Sequence, residues 1–252
     1  MKNIIITGGP TNEFIDEIMK ITNMSTGSLS ITLAELFLKK DYRVTLVINR
    51  SVSTKELKAY EEEGRLVVHF VETTEEMFNS LKELSGKGEH YNMIIHAAAV
   101  GDYKTDFTFL MDDLAREIFN GFKEGTFNCE DQLLEFLKNG SYRIDNKSKI
   151  SSYQDSLSVK LGLTPKIIGN LRDWFPESVL VGCKLLEKVS KEELFEVAQH
   201  LALKNKMDYI LANDLNDLRL GKSSRYLVTG EGYTGVELET PEEICQYFYE
   251  KK

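Results

Sequence analysis

The sequence predicts an α/β fold built on a Rossmann-like, doubly wound and mostly parallel sheet with helices on both faces. Three observations predict it. Short β-branched runs recur along the chain, amphipathic helical patterns lie between them, and the runs are apolar almost throughout, as strands buried on both faces must be. The first run, 2–7, leads into Thr7-Gly8-Gly9-Pro10-Thr11. Others follow at 43–48 (RVTLVI), 65–71 (RLVVHFV), 92–98 (NMIIHAA), 178–184 (SVLVGCK) and 208–212 (DYILA), each bounded by polar or turn residues. The helical pattern 29–40 is apolar at Leu29, Leu33, Leu36 and Phe37. The pattern 74–84 starts with a Thr cap and carries Glu75 and Glu76 in its first turn. Ser190 followed by Glu193 makes a capping box for 190–204.

The alternation breaks at 104–146, which reads as an insertion with two helical pieces, 110–119 and 130–138, in a single nucleotide-binding domain spanning 1–252. After it, 149–160 reads as loop plus strand. Two short strands within 225–238 flank Gly230-Glu231-Gly232, a hairpin signal. Thr240-Pro241-Glu242-Glu243 then opens a final helix, with Pro at its first position. No internal repeat, linker or low-complexity tract interrupts the chain.

A chain of 252 residues can bury a substantial core without staples. The formal charge of −9 argues against a general nucleic-acid binder, which would carry a basic footprint. A small anionic ligand then requires positive potential concentrated locally, at helix N-termini and a few lysines. Cys129, Cys183 and Cys245 are far apart and odd in number, and His69, His90, His96 and His200 show no ligand spacing. Neither a disulfide framework nor a structural zinc site is supported. No secretory signal and no apolar run of membrane-spanning length is present, so the expectation is a soluble, cytoplasmic protein without a membrane or nucleic-acid partner.

The chemistry-bearing segments sit at strand ends. Gly8-Gly9-Pro10-Thr11 lets a ligand approach the backbone, or is simply a tight connection. It is neither a G-x-G-x-x-G fingerprint nor a P-loop. Ser25-Thr26-Gly27 brings hydroxyls and backbone N–H groups to a helix start, where they can hold a polyphosphate or act as a plain N-cap. His96-Ala97-Ala98-Ala99-Val100-Gly101-Asp102-Tyr103 closes a central strand with small residues that leave room for a ring or sugar. Asp102 is a candidate for metal or ribose, or a solvated turn residue, and His96 reads as a packed strand residue. Asn213-Asp214 ends another strand as a candidate edge or an Asx turn. Lys149 lies in the polar loop 147–152, where spacing alone gives a surface charge.

Seven segments, ITGGPTNEFID (6–16), ITNMSTG (21–27), HAAAVGDY (96–103), KISS (149–152), LTPKII (163–168), VGCKL (181–185) and ILANDL (210–215), together resemble the phosphopantothenate–cysteine ligase (phosphopantothenoylcysteine synthetase) family, in its short monofunctional bacterial type. They stand in the family's order and cover almost the whole chain. The resemblance implies a ligase of coenzyme A biosynthesis. The carboxylate of 4′-phosphopantothenate attacks the α-phosphate of CTP, or alternatively ATP, and the amine of L-cysteine then attacks the acyl-nucleotide. It implies Mg²⁺ with the nucleotide, and a homodimer, to which the C-terminal hairpin and the insertion would contribute.

By that resemblance the catalytic residues are Asn23, which handles the acyl-nucleotide, and Lys149, which stabilises phosphate charge. The implied nucleotide-binding positions are Gly9, Thr11, Ser25, Thr26, Gly27, Ala98, Ala99, Asp102, Pro165, Lys166, Ile167, Ile168, Cys183 and Lys204, with Lys206 the alternative to the last in register. Several positions depart from the family pattern. Met19 stands where many members have Arg, Ser28 where a basic residue is common, Ser151 and Ser152 where the fused type has lysines, and Cys183 where Phe is usual. Two other readings compete. A nicotinamide-dependent oxidoreductase needs an acid after the second strand, and Ile48-Asn49-Arg50-Ser51 supplies none. A catalytically weak nucleotide-binding homologue is kept open by Met19, Ser28 and Cys183.

Overall fold

The computed structural model describes residues 1–144, 149–151 and 153–250, so Lys147, Ser148 and Ser152 of the polar loop lie outside the described residues. The chain divides into two compact units, one made of Met1–Thr11, Asn23–Val100 and Pro165–Lys252, the other of Asn12–Thr22 and Gly101–Thr164. The segment read as an insertion falls in the second.

The first unit holds an eight-stranded sheet. Its spatial order is Gly232–Leu238, Arg225–Thr229, Tyr209–Asp214, Val179–Leu186, Met93–His96, Asn3–Gly8, Arg43–Asn49, Leu66–Val71. The last six of these are mutually parallel. Numbered along the chain, they run 6-5-4-1-2-3, the doubly wound order whose direction reverses beside the first strand. The predicted hairpin extends the far edge as two antiparallel strands, with Thr229 opposite Gly232.

Burial on both faces explains the apolar runs. Ile4 and Ile6 enter one core with Leu33, Phe37, Leu46, Ile95 and Phe248; Ile5 enters the other with Met77, Leu81, Ile94, Leu180 and Ala198. Helices Ser28–Lys39 and Pro241–Glu250 cover the first face, Thr74–Gly86 and Lys191–Asn205 the second. The side chain of Ser190 accepts the Glu193 N–H at 3.1 Å, as the capping box requires. The cap of the earlier helix is Thr73, one residue ahead of the predicted start.

The second unit contains a structure that the sequence reading did not separate. Arg143–Ile144, Tyr103–Leu110 and Leu157–Leu163 form a three-stranded antiparallel sheet, and Asn12–Phe14 pairs with Lys20–Thr22 in a short hairpin. The eight-residue strand Tyr103–Leu110 was expected to be part of an insertion of helices. Lys104, Thr105, Asp106 and Thr108 interrupt its apolar residues (YKTDFTFL), so it lacks the continuous apolar signature of the buried strands. The two expected helices are present as Met111–Glu124 and Glu130–Asn139. An aromatic group of Phe107, Phe109, Phe136 and Tyr142 supplies much of this unit's interior, with ring centroids 5.3–5.9 Å apart.

Candidate functional site

In an open α/β sheet the ligand crevice lies at the carboxyl ends of the strands, where strand order reverses. Here that point is between Asn3–Gly8 and Met93–His96. Beyond both strands the backbones stay together. The Ala99 N–H donates to the Gly9 carbonyl at 2.9 Å, and the Thr11 N–H donates to the Ala99 carbonyl at 3.3 Å. Thr11 is buried, and its hydroxyl accepts from Thr74 at 2.9 Å. Thr11 therefore shapes the floor, and the half-buried Ala98 and Ala99 keep the wall low.

His96 lies beneath this wall, as a packed strand residue. The Thr7 hydroxyl accepts the Ala98 N–H at 3.2 Å and lies 2.8 Å from His96 Nδ1. Burial pushes the His96 ring down to about 4, so it is neutral near pH 7. A ring that resists its proton when folded makes the unfolded state the better proton acceptor. Stability is therefore expected to fall as pH drops from 6.5 toward about 4, by up to about 3 kcal/mol. Urea titrations at several pH values across that window check this, and a flat profile contradicts it.

The helix start brings hydroxyls and backbone N–H groups to the same strand end. Helix Ser28–Lys39 is preceded by Gly27 at φ 73°, and the Thr26 hydroxyl accepts its first N–H, that of Ser28, at 3.4 Å. The capping role read for Ser25 and Thr26 is thus present at the first N–H groups. Ser25 Oγ accepts the Gly27 N–H at 3.4 Å, and the Thr26 hydroxyl also donates to Ser28 Oγ at 3.0 Å. A Cβ on Gly27 would stand 2.8 Å from Val52 Cγ2 and 3.2 Å from Gly9 Cα. Glycine here lets the helix start close on the strand end.

Asn23 joins the same group. Its Nδ2 donates to the carbonyls of Ala99 (3.2 Å) and Val100 (3.1 Å), which ties the loop ahead of the helix to the end of the neighbouring strand. The first unit thus brings together Gly9, Asn23, Ser25, Thr26, Gly27, Ala98 and Ala99 at one edge.

Other expected positions are placed differently. Lys204 lies in the last turn of helix Lys191–Asn205, whose end leads into the amino end of a strand: the Asp208 N–H donates to the Leu180 carbonyl. This is the edge opposite Gly27, and Lys206 shares it, so a single chain does not bring either lysine to the group. Cys183 is packed against the first core; burial pushes its thiol up to about 11, so it is a neutral, apolar wall. Ile167 is buried in the second core, and Ile168 packs against that core; Lys166 is exposed and Pro165 half-buried at the start of the same segment. Asn49, where a dinucleotide enzyme would place its acid, is buried and donates to the Glu72 carbonyl at 3.1 Å.

In the second unit, Asp102 is exposed, and its carbonyl accepts the Thr164 N–H at 3.1 Å. Lys149 is also exposed. Beside it lies a residue that the sequence reading assigned no role. Asp16 is 4% exposed, and its carboxylate accepts the N–H groups of Ile18 (2.8 Å), Met19 (2.7 Å) and Ile150 (2.9 Å). The Met19, Ile150 and Ile18 bonds hold it below the usual carboxylate range. Among the described residues, no three His, Cys, Asp or Glu are grouped to hold a metal.

Residues 1–109 match the DFP family, described as the DNA/pantothenate metabolism flavoprotein C-terminal domain. The DFP region takes in the first three of the seven sequence motifs. Beyond it, the Coenzyme A biosynthesis bifunctional protein CoaBC of Methanocaldococcus jannaschii is 26% identical over 248 residues, 96% of this chain and 49% of that protein. The chain therefore spans about half the length of this curated relative. The structure titled DNA/Pantothenate Metabolism Flavoprotein from Streptococcus pneumoniae matches with a TM-score of 0.77 and 26% identity, covering 100% of this chain and 98% of that one. A Cab2 mutant in complex with phosphopantothenate-cysteine shares the fold at a TM-score of 0.67 and 17% identity, covering 99% of this chain and 86% of that one. The resemblance read from the motifs thus holds along most of the chain.

Proposed function

We propose that this chain is a phosphopantothenate–cysteine ligase of coenzyme A biosynthesis, joining 4′-phosphopantothenate and L-cysteine through an acyl-nucleotide formed with CTP. The observation that carries this reading is the glycine-started, hydroxyl-flanked helix closed on the Gly9–Ala99 strand ends at the reversal of strand order. It lies in a chain aligned with a coenzyme A biosynthesis protein along 96% of its length. A helix N-terminus flanked by hydroxyls favours phosphate oxygens. The absence of an acid at Asn49 weakens the dinucleotide alternative.

The chemistry asks the protein to bring a carboxylate onto a triphosphate, two groups that repel. Ser25, Thr26 and Gly27 would take the triphosphate at the helix start. Lys149 would stabilise charge on the phosphates. Attack at the α-phosphate releases pyrophosphate; cysteine's amine then attacks the carbonyl and releases the nucleoside monophosphate. Mg²⁺ would come with the nucleotide and would ask for few protein ligands. The exposed Asp102 would be the residue to hold it. When bound, the ion would offset phosphate charge. CTP follows the bacterial-type resemblance, and ATP is the alternative co-substrate. Homodimerisation follows the same resemblance, and sedimentation velocity should return the mass of two chains.

Pyrophosphate release that requires both 4′-phosphopantothenate and nucleotide tests the reading; no release with CTP or ATP sinks it. Asn23 provides a sharper prediction. Asn23→Asp would set a carboxylate against the carbonyl oxygens of Ala99 and Val100, 3.1–3.2 Å from the present amide nitrogen. The loop should loosen and leak its intermediate. Ligated product per pyrophosphate is expected to fall about tenfold, a loss of the size expected when a pair of hydrogen bonds is broken. A wild-type ratio contradicts this role.

A further inference from the structure

Asp16 lies in the turn of the hairpin made by Asn12–Phe14 and Lys20–Thr22, and its two carboxylate oxygens do different jobs. Oδ1 accepts the Ile18 and Met19 N–H groups and so closes the turn. Oδ2 accepts the Ile150 N–H at 2.9 Å, across 134 residues of sequence. The turn is otherwise closed by the Ile15 N–H on the Met19 carbonyl at 2.8 Å. The second oxygen is therefore spare for the turn and committed to the segment that carries Lys149. Ile150 is itself buried, 8% exposed, while Lys149 beside it is exposed. A buried carboxylate that accepts only backbone N–H groups is a rigid acceptor, because those donors cannot rotate away.

We propose that Asp16 is a positioning residue: its Oδ2 latches the Ile150 backbone to the hairpin and so fixes the stem from which Lys149 reaches phosphate. The catalytic half of this statement rests on the ligase reading; the latch itself does not. Lysine has four flexible side-chain bonds, so the placement of its ammonium depends on how firmly its own backbone is held. Asp16→Asn keeps the size but has one acceptor oxygen. Either the turn or Ile150 must then face an NH₂ group, and two donors oppose each other.

Two measurements on the full chain decide the proposal. The first is amide hydrogen exchange at Ile150, which needs no activity. Asp16→Asn should speed it about tenfold, as expected for losing a hydrogen bond to a charged acceptor, while Ile5 and Ile94 in the main sheet keep their protection. Unchanged exchange at Ile150 overturns the latch. The second is a double-mutant cycle on pyrophosphate release. Asp16→Asn should lower kcat about tenfold with the thermal midpoint of the main unfolding transition little changed, and should cause no further loss in a Lys149→Ala background. Full kcat, or losses that simply multiply, overturns the positioning role. Pyrophosphate release absent from the unmodified chain refutes the ligase reading and the catalytic half with it, and leaves the latch to the exchange result.

Discussion

Gly27→Ala is expected to lower nucleotide-dependent turnover by about 100-fold and to destabilise the first unit by about 2 kcal/mol. Two independent costs combine. The backbone at residue 27 has φ 73°, a conformation that costs an L-residue about 1–2 kcal/mol. The added methyl would stand 2.8 Å from Val52 Cγ2, 3.0 Å from Val52 Cγ1 and 3.2 Å from Gly9 Cα. A valine methyl can step aside; the Gly9 backbone cannot without disturbing the Ala99 bridge. The helix start must therefore retreat from the strand end, and misplacement of about 1 Å at a reacting site can cost on the order of 100-fold. Val52→Ala added to Gly27→Ala should relieve only the side-chain part. Thermal unfolding and steady-state turnover on both variants check this. A Gly27→Ala protein with wild-type turnover would show that the helix start is not where phosphate binds.

Lys149→Ala is expected to reduce kcat for pyrophosphate release by about 10²–10³, the loss typical of removing one charge-stabilising donor from a transition state. Stability should be almost unaffected, because the side chain is exposed. The combination is diagnostic. A surface lysine of no function would change neither quantity, and a structural one would change stability first. Lys149→Arg keeps the charge on a different shape and should recover part of the rate. Full activity in the alanine variant would remove Lys149 from the mechanism.

The sheet was legible because it is redundant. The inner parallel strands are buried on both faces, so Ile4, Ile5 and Ile6 are all apolar whichever core they enter. The hairpin at Gly230-Glu231 and the Ser190 cap were legible because turn and cap chemistry is local. The second unit was not, for the opposite reason. Tyr103–Leu110 is half-exposed, and its partners, Arg143–Ile144 and Leu157–Leu163, lie tens of residues away. Nothing in the run Asn12–Thr22 says that it belongs with Gly101–Thr164 rather than with the strand it follows.

The site divides along the same line. Gly9, Ala98 and Ala99 were readable as small residues at strand ends. Asn23 was flagged, but its partners Ala99 and Val100 are 76 and 77 residues away and had no signal. The Asp16 bond to the Ile150 N–H was invisible because it joins positions 134 residues apart. Lys204 looked suitable by charge and register. The direction of helix Lys191–Asn205, which runs back along the sheet, carries it to the far edge.

Isotope transfer tests the central claim most directly. With the carboxylate of 4′-phosphopantothenate labelled with ¹⁸O on both oxygens, the protein is incubated with L-cysteine, Mg²⁺ and CTP, and the nucleotide products are weighed by mass spectrometry. Carboxylate attack on the α-phosphate makes one labelled oxygen the bridge of the acyl-nucleotide, and amine attack at the carbonyl leaves that oxygen on the departing monophosphate. The account predicts CMP carrying one ¹⁸O and unlabelled pyrophosphate. Unlabelled CMP, or label in a released phosphate, would contradict an acyl-nucleotide ligase.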